Sequence, residues 1–372
     1  MFWQQAMGVR KDISHYDWYD WRWQYKQRLH TLEQLVPLLK HPRSFPAMYR
    51  KLLRLYPFFI TPYYLSLMDP SDENDPIRKQ CIPDLKEIDF STGGVADPLE
   101  EEKNMPVPGL VHRYPDRCLA IVTNVCALYC RHCNRKRRWD KGLHTATKEE
   151  LQTMIGYISQ TPAIREVIVS GGDPLTLNAG LLDWFLEEIR SLPNVEVIRI
   201  GSRIPVVMPM RITKRLCNML RKHRPLWLNT QFNHVREITA DSVRACAMLL
   251  EVGIPLSNQS VLLKGINDSY EALRSLLYGL QRIGVRPHYL FQCDAAAGTD
   301  HFRVDMSAGI EIMENLRRTI SGLCLPRYVL DTPGEMGKIP LGHMVLPNPA
   351  GTSSVTTQVQ SSKVHGSRLE SD

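Results

Sequence analysis

The sequence predicts an α/β protein, a partial (β/α)6-type open TIM barrel preceded by an N-terminal helical region. Three observations carry that expectation. Between about residues 117 and 332, short β-branched runs alternate six times with helix-length segments, the pattern of a parallel sheet with crossover helices. No Gly-x-Gly-x-x-Gly follows the first strand, which disfavours a dinucleotide fold. Chemistry-bearing residues gather where the expected strands end, the rim on which barrels build their sites.

Residues 1–105 form the N-terminal region. Segments 21–30 and 31–39 have helical spacing, and Pro37, Pro42, Pro57 and Pro62 keep such helices short. Segment 69–108, with its Asp-Pro-Ser-Asp-Glu-Asn-Asp-Pro opening, reads as an extended connector wrapping the next domain. The barrel domain covers 106–349, with strands expected at 118–125, 166–170, 195–200, 226–232, 255–260 and 286–291. Helices are expected near 148–160, 181–191, 213–223, 239–252, 270–283 and 308–321. The polar, Ser/Thr-rich residues 350–372 read as a disordered tail.

A chain of 372 residues with 43% apolar content can bury a substantial core. Its nine cysteines have no framework-like spacing, which points to a reducing compartment. No stretch approaches the ~18 apolar residues of a spanning helix, and the start lacks a secretory pattern, so a cytoplasmic, membrane-free protein is expected. A net charge of +7 is modest for this size and suits anionic small molecules as well as nucleic acid.

Cys126-Ala-Leu-Tyr-Cys130-Arg-His-Cys133 follows the first expected strand. Structural zinc takes four protein ligands and common ferredoxin clusters take four cysteines, so three clustered thiolates point to a metal with one position left open. The leading reading is a [4Fe-4S] cluster with one free iron. Zinc completed by His132 is the rival, although His132 adjoins Cys133 and can hardly turn back to the same ion. Three buried structural cysteines are the blander alternative, set against a loop rich in Tyr129, Arg131 and Asn134.

Other polar groups fall on the same rim. Ser170-Gly171-Gly172-Asp173-Pro174 ends the second strand, where paired glycines allow close approach of a ligand or form an ordinary turn. Asn258-Gln259-Ser260 ends the fifth, and Gln292-Cys293-Asp294 the sixth. The run Arg135-Lys136-Arg137-Arg138 reads either as a nucleic-acid patch or as the neutraliser of an anionic cofactor or substrate. Lys338 lies among Gly334, Gly337 and Pro340, a turn in which a lysine is ordinarily just exposed.

Together these residues resemble the radical S-adenosylmethionine superfamily, and its lysine 2,3-aminomutase branch in particular. The resemblance runs from about residue 15 to 347. It is carried by Trp18-Tyr-Asp-Trp-Arg-Trp-Gln24, His112-Arg-Tyr-Pro-Asp-Arg117, Ser170-Gly-Gly-Asp-Pro-Leu-Thr176, Trp227-Leu-Asn-Thr-Gln-Phe-Asn-His234, Asn258-Gln-Ser-Val-Leu-Leu263 and Gly337-Lys-Ile-Pro340. It implies that Cys126, Cys130 and Cys133 hold a [4Fe-4S] cluster whose open iron binds S-adenosylmethionine, and that reductive cleavage yields a 5′-deoxyadenosyl radical. Gly171, Gly172, Asp173 and Gln259 are then candidates for the surroundings of S-adenosylmethionine.

The resemblance also implies pyridoxal 5′-phosphate, with Lys338 as its Schiff-base lysine and Arg113, Tyr114 and Arg117 as phosphate or ring contacts. Arg135 is placed like the carboxylate-binding arginine of the family, and Asp294 and Asp331 match the pair that holds the ε-ammonium in lysine-specific members. The implied reaction moves the α-amino group of L-lysine to C3, with a flavodoxin- or ferredoxin-type protein as electron donor and room for a homo-oligomer. Arginine, glutamate or a protein lysine, as in elongation factor P, would use the same chemistry. An iron–sulfur or zinc protein that binds or modifies nucleic acid is the alternative from another class.

Two departures stand out. Gln231 replaces a histidine found in several members. Ser269 follows Asn267-Asp268 and no cysteine follows Cys324, so the zinc site of certain members is not expected.

Overall fold

The computed structural model describes residues 13–38, 46–89, 93–139, 141–342, 344–346 and 354–356. Nine strands form one sheet in sequence order: β1 (Leu110–Tyr114), β2 (Arg117–Thr123), β3 (Glu166–Gly171), β4 (Val197–Gly201), β5 (Leu226–Thr230), β6 (Leu256–Leu262), β7 (Arg286–Gln292), β8 (Arg327–Asp331) and β9 (Lys338–Pro340). From β2 to β8 all neighbours are parallel, while β1 and β9 pair antiparallel at the two edges. The order does not return from β9 to β1, so the barrel is open.

The six expected strands are β2 to β7, each bound within two residues of its expected place. β5 stops at Thr230 rather than Phe232 because the Phe232 N–H is taken by the Asn258 side chain at 2.7 Å. β1, β8 and β9 were not expected. Leu-Val-His-Arg-Tyr, Arg-Tyr-Val-Leu-Asp and Lys-Ile-Pro are too short and too polar to give a strand period, and Pro340 is tolerated because β9 is an edge strand.

Alternation along the strands divides a dry face from a wet one. In β3, Val167 and Val169 are fully buried in the main core, while Glu166, Ile168 and Ser170 line an interior cavity. β4 repeats this with Ile198 and Ile200 against Arg199 and Gly201. A parallel sheet ordinarily reads as a continuous apolar run, and the polar residues at every second position mark the hollow.

The N-terminal region is helical in short pieces, including His15–Tyr19, Trp21–Lys26, Pro46–Leu55 and Pro62–Ser66. The helix expected over 31–39 is one capped turn, Leu32–Leu35, continued as a 3₁₀ turn to Leu38, and Leu39 lies outside the described residues. Leu29, Leu35, Phe58 and Tyr64 share the core of the barrel strands.

The connector is less extended than expected. Asp75 caps a helix at Pro76–Cys81, and an Asp84/Glu87 capping box closes a 3₁₀ turn at Leu85–Ile88. Such single turns leave no periodic signal. Within the expected tail, Ser354–Thr356 pairs antiparallel with Met344–Leu346, and the other tail residues lie outside the described ones. No helix among the described residues is long and apolar enough to cross a membrane.

Candidate active site

The hollow of the barrel is one cavity of about 630 Å³, and all fourteen site residues expected from sequence line it. The cysteine loop leaves β2 and is pinned from outside by the N-terminal region. The Tyr129 N–H donates to Phe59 O at 3.0 Å, the Arg131 N–H to Gln80 O at 2.9 Å, and Arg28 Nη1 to Cys126 O at 2.5 Å. Arg131 is completely buried and forms an ion pair with the equally buried Glu87 at 2.6 Å. These bonds hold the loop so that Cys126, Cys130 and Cys133 reach the cavity wall.

Among the described residues, no three His, Cys, Asp or Glu side chains converge on one ion position. Cys126, Cys130 and Cys133 are nonetheless close enough for Cys126 to feel the charge of the other two. His132 does not join them; it is buried, with Nε2 3.3 Å from Asn233 Nδ2 and 3.4 Å from Gln231 Nε2. Burial pushes the Cys133 thiol up to about 11 and also raises Cys126, so charged thiolates here call for a positive partner. Arg203 Nη1 meets Cys130 Sγ at 2.8 Å, and the Arg135 N–H meets Cys133 Sγ at 3.4 Å.

Gly171 and Gly172 are required by the chain beside them. A Cβ at Gly171 (φ +129°) would lie 2.2 Å from Thr123 O, and one at Gly172 would lie 2.3 Å from Val125 O. The close approach is therefore to the backbone entering the cysteine loop. Asp173 is buried, and its carboxylate accepts from Ser202 Oγ at 2.7 Å and from the N–H groups of Arg203 and Leu175 at 2.8 and 3.1 Å. Burial raises its pKa to about 6 against those bonds. Asp173 thus ties the exits of β3 and β4 together and offers the cavity little free acceptor capacity.

At the opposite wall, β9 brings Lys338 beside Asp331, Nζ to Oδ2 3.0 Å. Arg113 of β1 reaches the other oxygen of Asp331 at 2.5 Å, so side chains bridge the gap the open sheet leaves. Lys338 is not simply exposed, as a lysine in such a turn ordinarily is: its side chain is 28% exposed and ion-paired. Gly337 (φ +63°) packs so closely that a Cβ would sit 2.8 Å from the Tyr114 ring. Arg117 lies over the ring of that tyrosine, 3.8 Å from its centroid, and pairs with Asp116 at 2.7 Å.

Asp294 also faces the cavity, and its carboxylate accepts from an amide, Asn134 Nδ2, at 2.7 Å. Burial pushes its carboxyl up to about 6, Asn134 opposes this, and the nearby Asp331 adds to it. Arg135 lines the cavity between Glu101, at 2.6 Å, and Ser170 Oγ and Gly171 O, each at 3.3 Å. Glu101 also takes Arg137 at 2.8 Å. Lys136 is buried against Glu87 and Gly298 O, both at 2.7 Å. The basic run is thus largely neutralised inside the protein, which removes the surface patch that a nucleic-acid reading needs.

Sequence reasoning missed Glu101, Glu87, Asn134 and Arg203. Glu101 stands in a Glu-Glu-Glu-Lys stretch that looks like a solvated connector, and nothing local marks it as buried. Arg203 was within reach, since it follows the end of β4 on the rim.

The geometry can be set beside known proteins. A model of the radical SAM superfamily matches residues 120–277. The L-lysine 2,3-aminomutase of Clostridium subterminale is 48% identical over 341 residues, 91% of this chain and 80% of that one. The L-lysine 2,3-aminomutase of Acetoanaerobium sticklandii is 46% identical over 336 residues, 90% and 80%. The glutamate 2,3-aminomutase of Clostridioides difficile is 41% identical over 328 residues, 87% and 77%.

Proposed function

The chain belongs to the lysine 2,3-aminomutase family of radical S-adenosylmethionine isomerases, and from that premise we propose that it is a pyridoxal phosphate-dependent enzyme converting L-lysine to β-lysine. The family implies a [4Fe-4S] cluster and S-adenosylmethionine. When bound, these supply a hydrogen-abstracting carbon radical, and pyridoxal phosphate carries the migrating amino group.

Cys126, Cys130 and Cys133 would hold the cluster, with the Arg203 guanidinium offsetting thiolate charge at Cys130. The glycine pair and Gln259 lie on the cavity wall available to S-adenosylmethionine, and Asp173 acts by fixing that wall. Lys338 is the lysine for pyridoxal phosphate. The fit is supported by Arg113, whose Nε is buried without a hydrogen-bond partner close to that lysine's counter-ion, a vacancy an anionic phosphate would fill. Arg117 and Tyr114 extend the same wall.

The observation that carries lysine as substrate is Asp294, a cavity-facing carboxylate whose side-chain hydrogen bond is to an amide, with Lys338 acting on it only through space and forming its ion pair with Asp331 instead. The ε-ammonium of lysine would ionise it fully, whereas the distal carboxylate of glutamate would add like charge next to Asp294 and Asp331. Arg135 is held by Glu101 through Nε and Nη2, and its Nη1 donates to Ser170 Oγ and Gly171 O at 3.3 Å, the longer bonds that an α-carboxylate would replace. A reducing carrier of flavodoxin or ferredoxin type would supply the electron, and the free state of all nine cysteines fits a reducing, cytoplasmic setting.

The test is an anaerobic assay of reconstituted protein with S-adenosylmethionine, pyridoxal phosphate and dithionite, offered lysine, arginine and glutamate separately. Mass spectrometry should find β-lysine. An intact cluster that cleaves S-adenosylmethionine without forming β-lysine would overturn the proposal.

A further inference from the structure

Between Glu33 and Asp69 the chain has no carboxylate but five cations: Lys40, Arg43, Arg50, Lys51 and Arg54. Three of them belong to the helix Pro46–Leu55, which the proposed reaction leaves without a role. Its inner residue Leu52, with Tyr56 just beyond its end, is buried in a small cluster with Tyr129 and Trp139. Cys126 and Cys133 pack against that cluster, and Tyr129 stacks on Trp139 at 4.6 Å.

The cysteines therefore have the cavity on one side and, on the other, an aromatic layer covered by one helix roughly 10 Å thick. The outward face of that helix exposes Arg50, Lys51 and Arg54 around Met48 and Leu55, which are 44% and 38% exposed. Among the described residues, the carboxylates that act on this helix include Glu33, close enough to feel Arg50, Asp84, whose side chain is engaged in capping the next turn, and Glu87, which is taken by Arg131 and Lys136. The apolar face of the helix is already used against the cysteine loop, so it has no broad apolar stripe to lay into a bilayer.

We propose that this face is the docking surface for a small acidic one-electron carrier protein. The proposal rests on the radical chemistry proposed above, in which the cluster must gain one electron while the reduced carrier loses one. The three cations steer an acidic partner, Met48 and Leu55 give it a dry centre, and the aromatic layer lies between the docked carrier and the cysteines.

The test uses the full-length reconstituted holoprotein and reduced flavodoxin as the probe, with cluster bleaching followed by stopped-flow absorbance. Arg50→Glu/Lys51→Glu/Arg54→Glu should lower the second-order rate at low salt by at least tenfold. The wild-type rate should fall with ionic strength, and the variant rate should lose that dependence. Arg215→Glu/Arg282→Glu/Arg318→Glu, exposed on barrel helices, controls for net charge, and the milder Arg50→Gln/Arg54→Gln should give an intermediate loss. Reduction by dithionite should be equal in all four proteins, which also reports an intact fold. Equal flavodoxin rates in wild type and triple variant, a salt-independent wild-type rate, or an equal loss in the barrel-helix control would overturn the proposal. Failure of the aminomutase reading would show instead as missing β-lysine under dithionite, where no carrier is involved.

Discussion

Replacing Glu101 by glutamine isolates the contact that orients Arg135. Burial works to raise the Glu101 carboxyl, but Arg135 and Arg137 overcome it and hold the pKa at about 2, against an ordinary 4.5. At 1.36 kcal/mol per tenfold step, that difference is roughly 3 kcal/mol of folded-state stabilisation, the size expected when a buried ion pair loses one partner. The carboxyl is depressed in the folded chain, so the stabilisation is present above the unfolded value near 4.5 and is lost as pH falls toward 2. Urea unfolding at pH 7 should therefore show Glu101→Gln less stable by about 2–4 kcal/mol, with the gap narrowing toward pH 3. With the guanidinium released, the lysine KM should also rise. A loss under about 1 kcal/mol that does not narrow in acid, with KM unchanged, would refute the reasoning.

Three further outcomes follow from the same geometry. Lys338→Ala should abolish the near-visible absorbance that pyridoxal phosphate gives when bound through a lysine, while iron content stays unchanged; retention of that absorbance would move the lysine elsewhere. Gly171→Ala places a Cβ 2.2 Å from Thr123 O at φ +129°, so thermal unfolding should show a loss of about 3 kcal/mol and cluster loading should fall. Asp294 must be ionised to hold an ammonium and its pKa is raised to about 6, so the lysine KM should climb as pH drops below that value and should lose this dependence in Asp294→Asn.

The cysteine loop was legible because three thiols in eight residues have few other uses, and the barrel was legible because six βα alternations leave few alternatives. The edge strands were not, because β1 and β9 are built from three to five residues whose polarity serves the cavity. Roles that depend on distant partners escaped as well. Nothing near Asp173 in sequence tells that Ser202 and Arg203 use its oxygens, and nothing near the basic run, readable as a nucleic-acid patch or as the neutraliser of an anion, tells that Glu87 and Glu101 meet it. Each involves a contact spanning about 30 residues or more, for which no local period exists.

The most direct test of lysine recognition is the ratio of kcat/KM for lysine over glutamate, measured in the wild type and in Asp294→Asn/Asp331→Asn with the cluster spectrum recorded for both. Two carboxylates around the distal group predict a strong lysine preference in the wild type that falls by at least tenfold in the variant, with an unaltered cluster. An unchanged ratio in a fully loaded variant would contradict it.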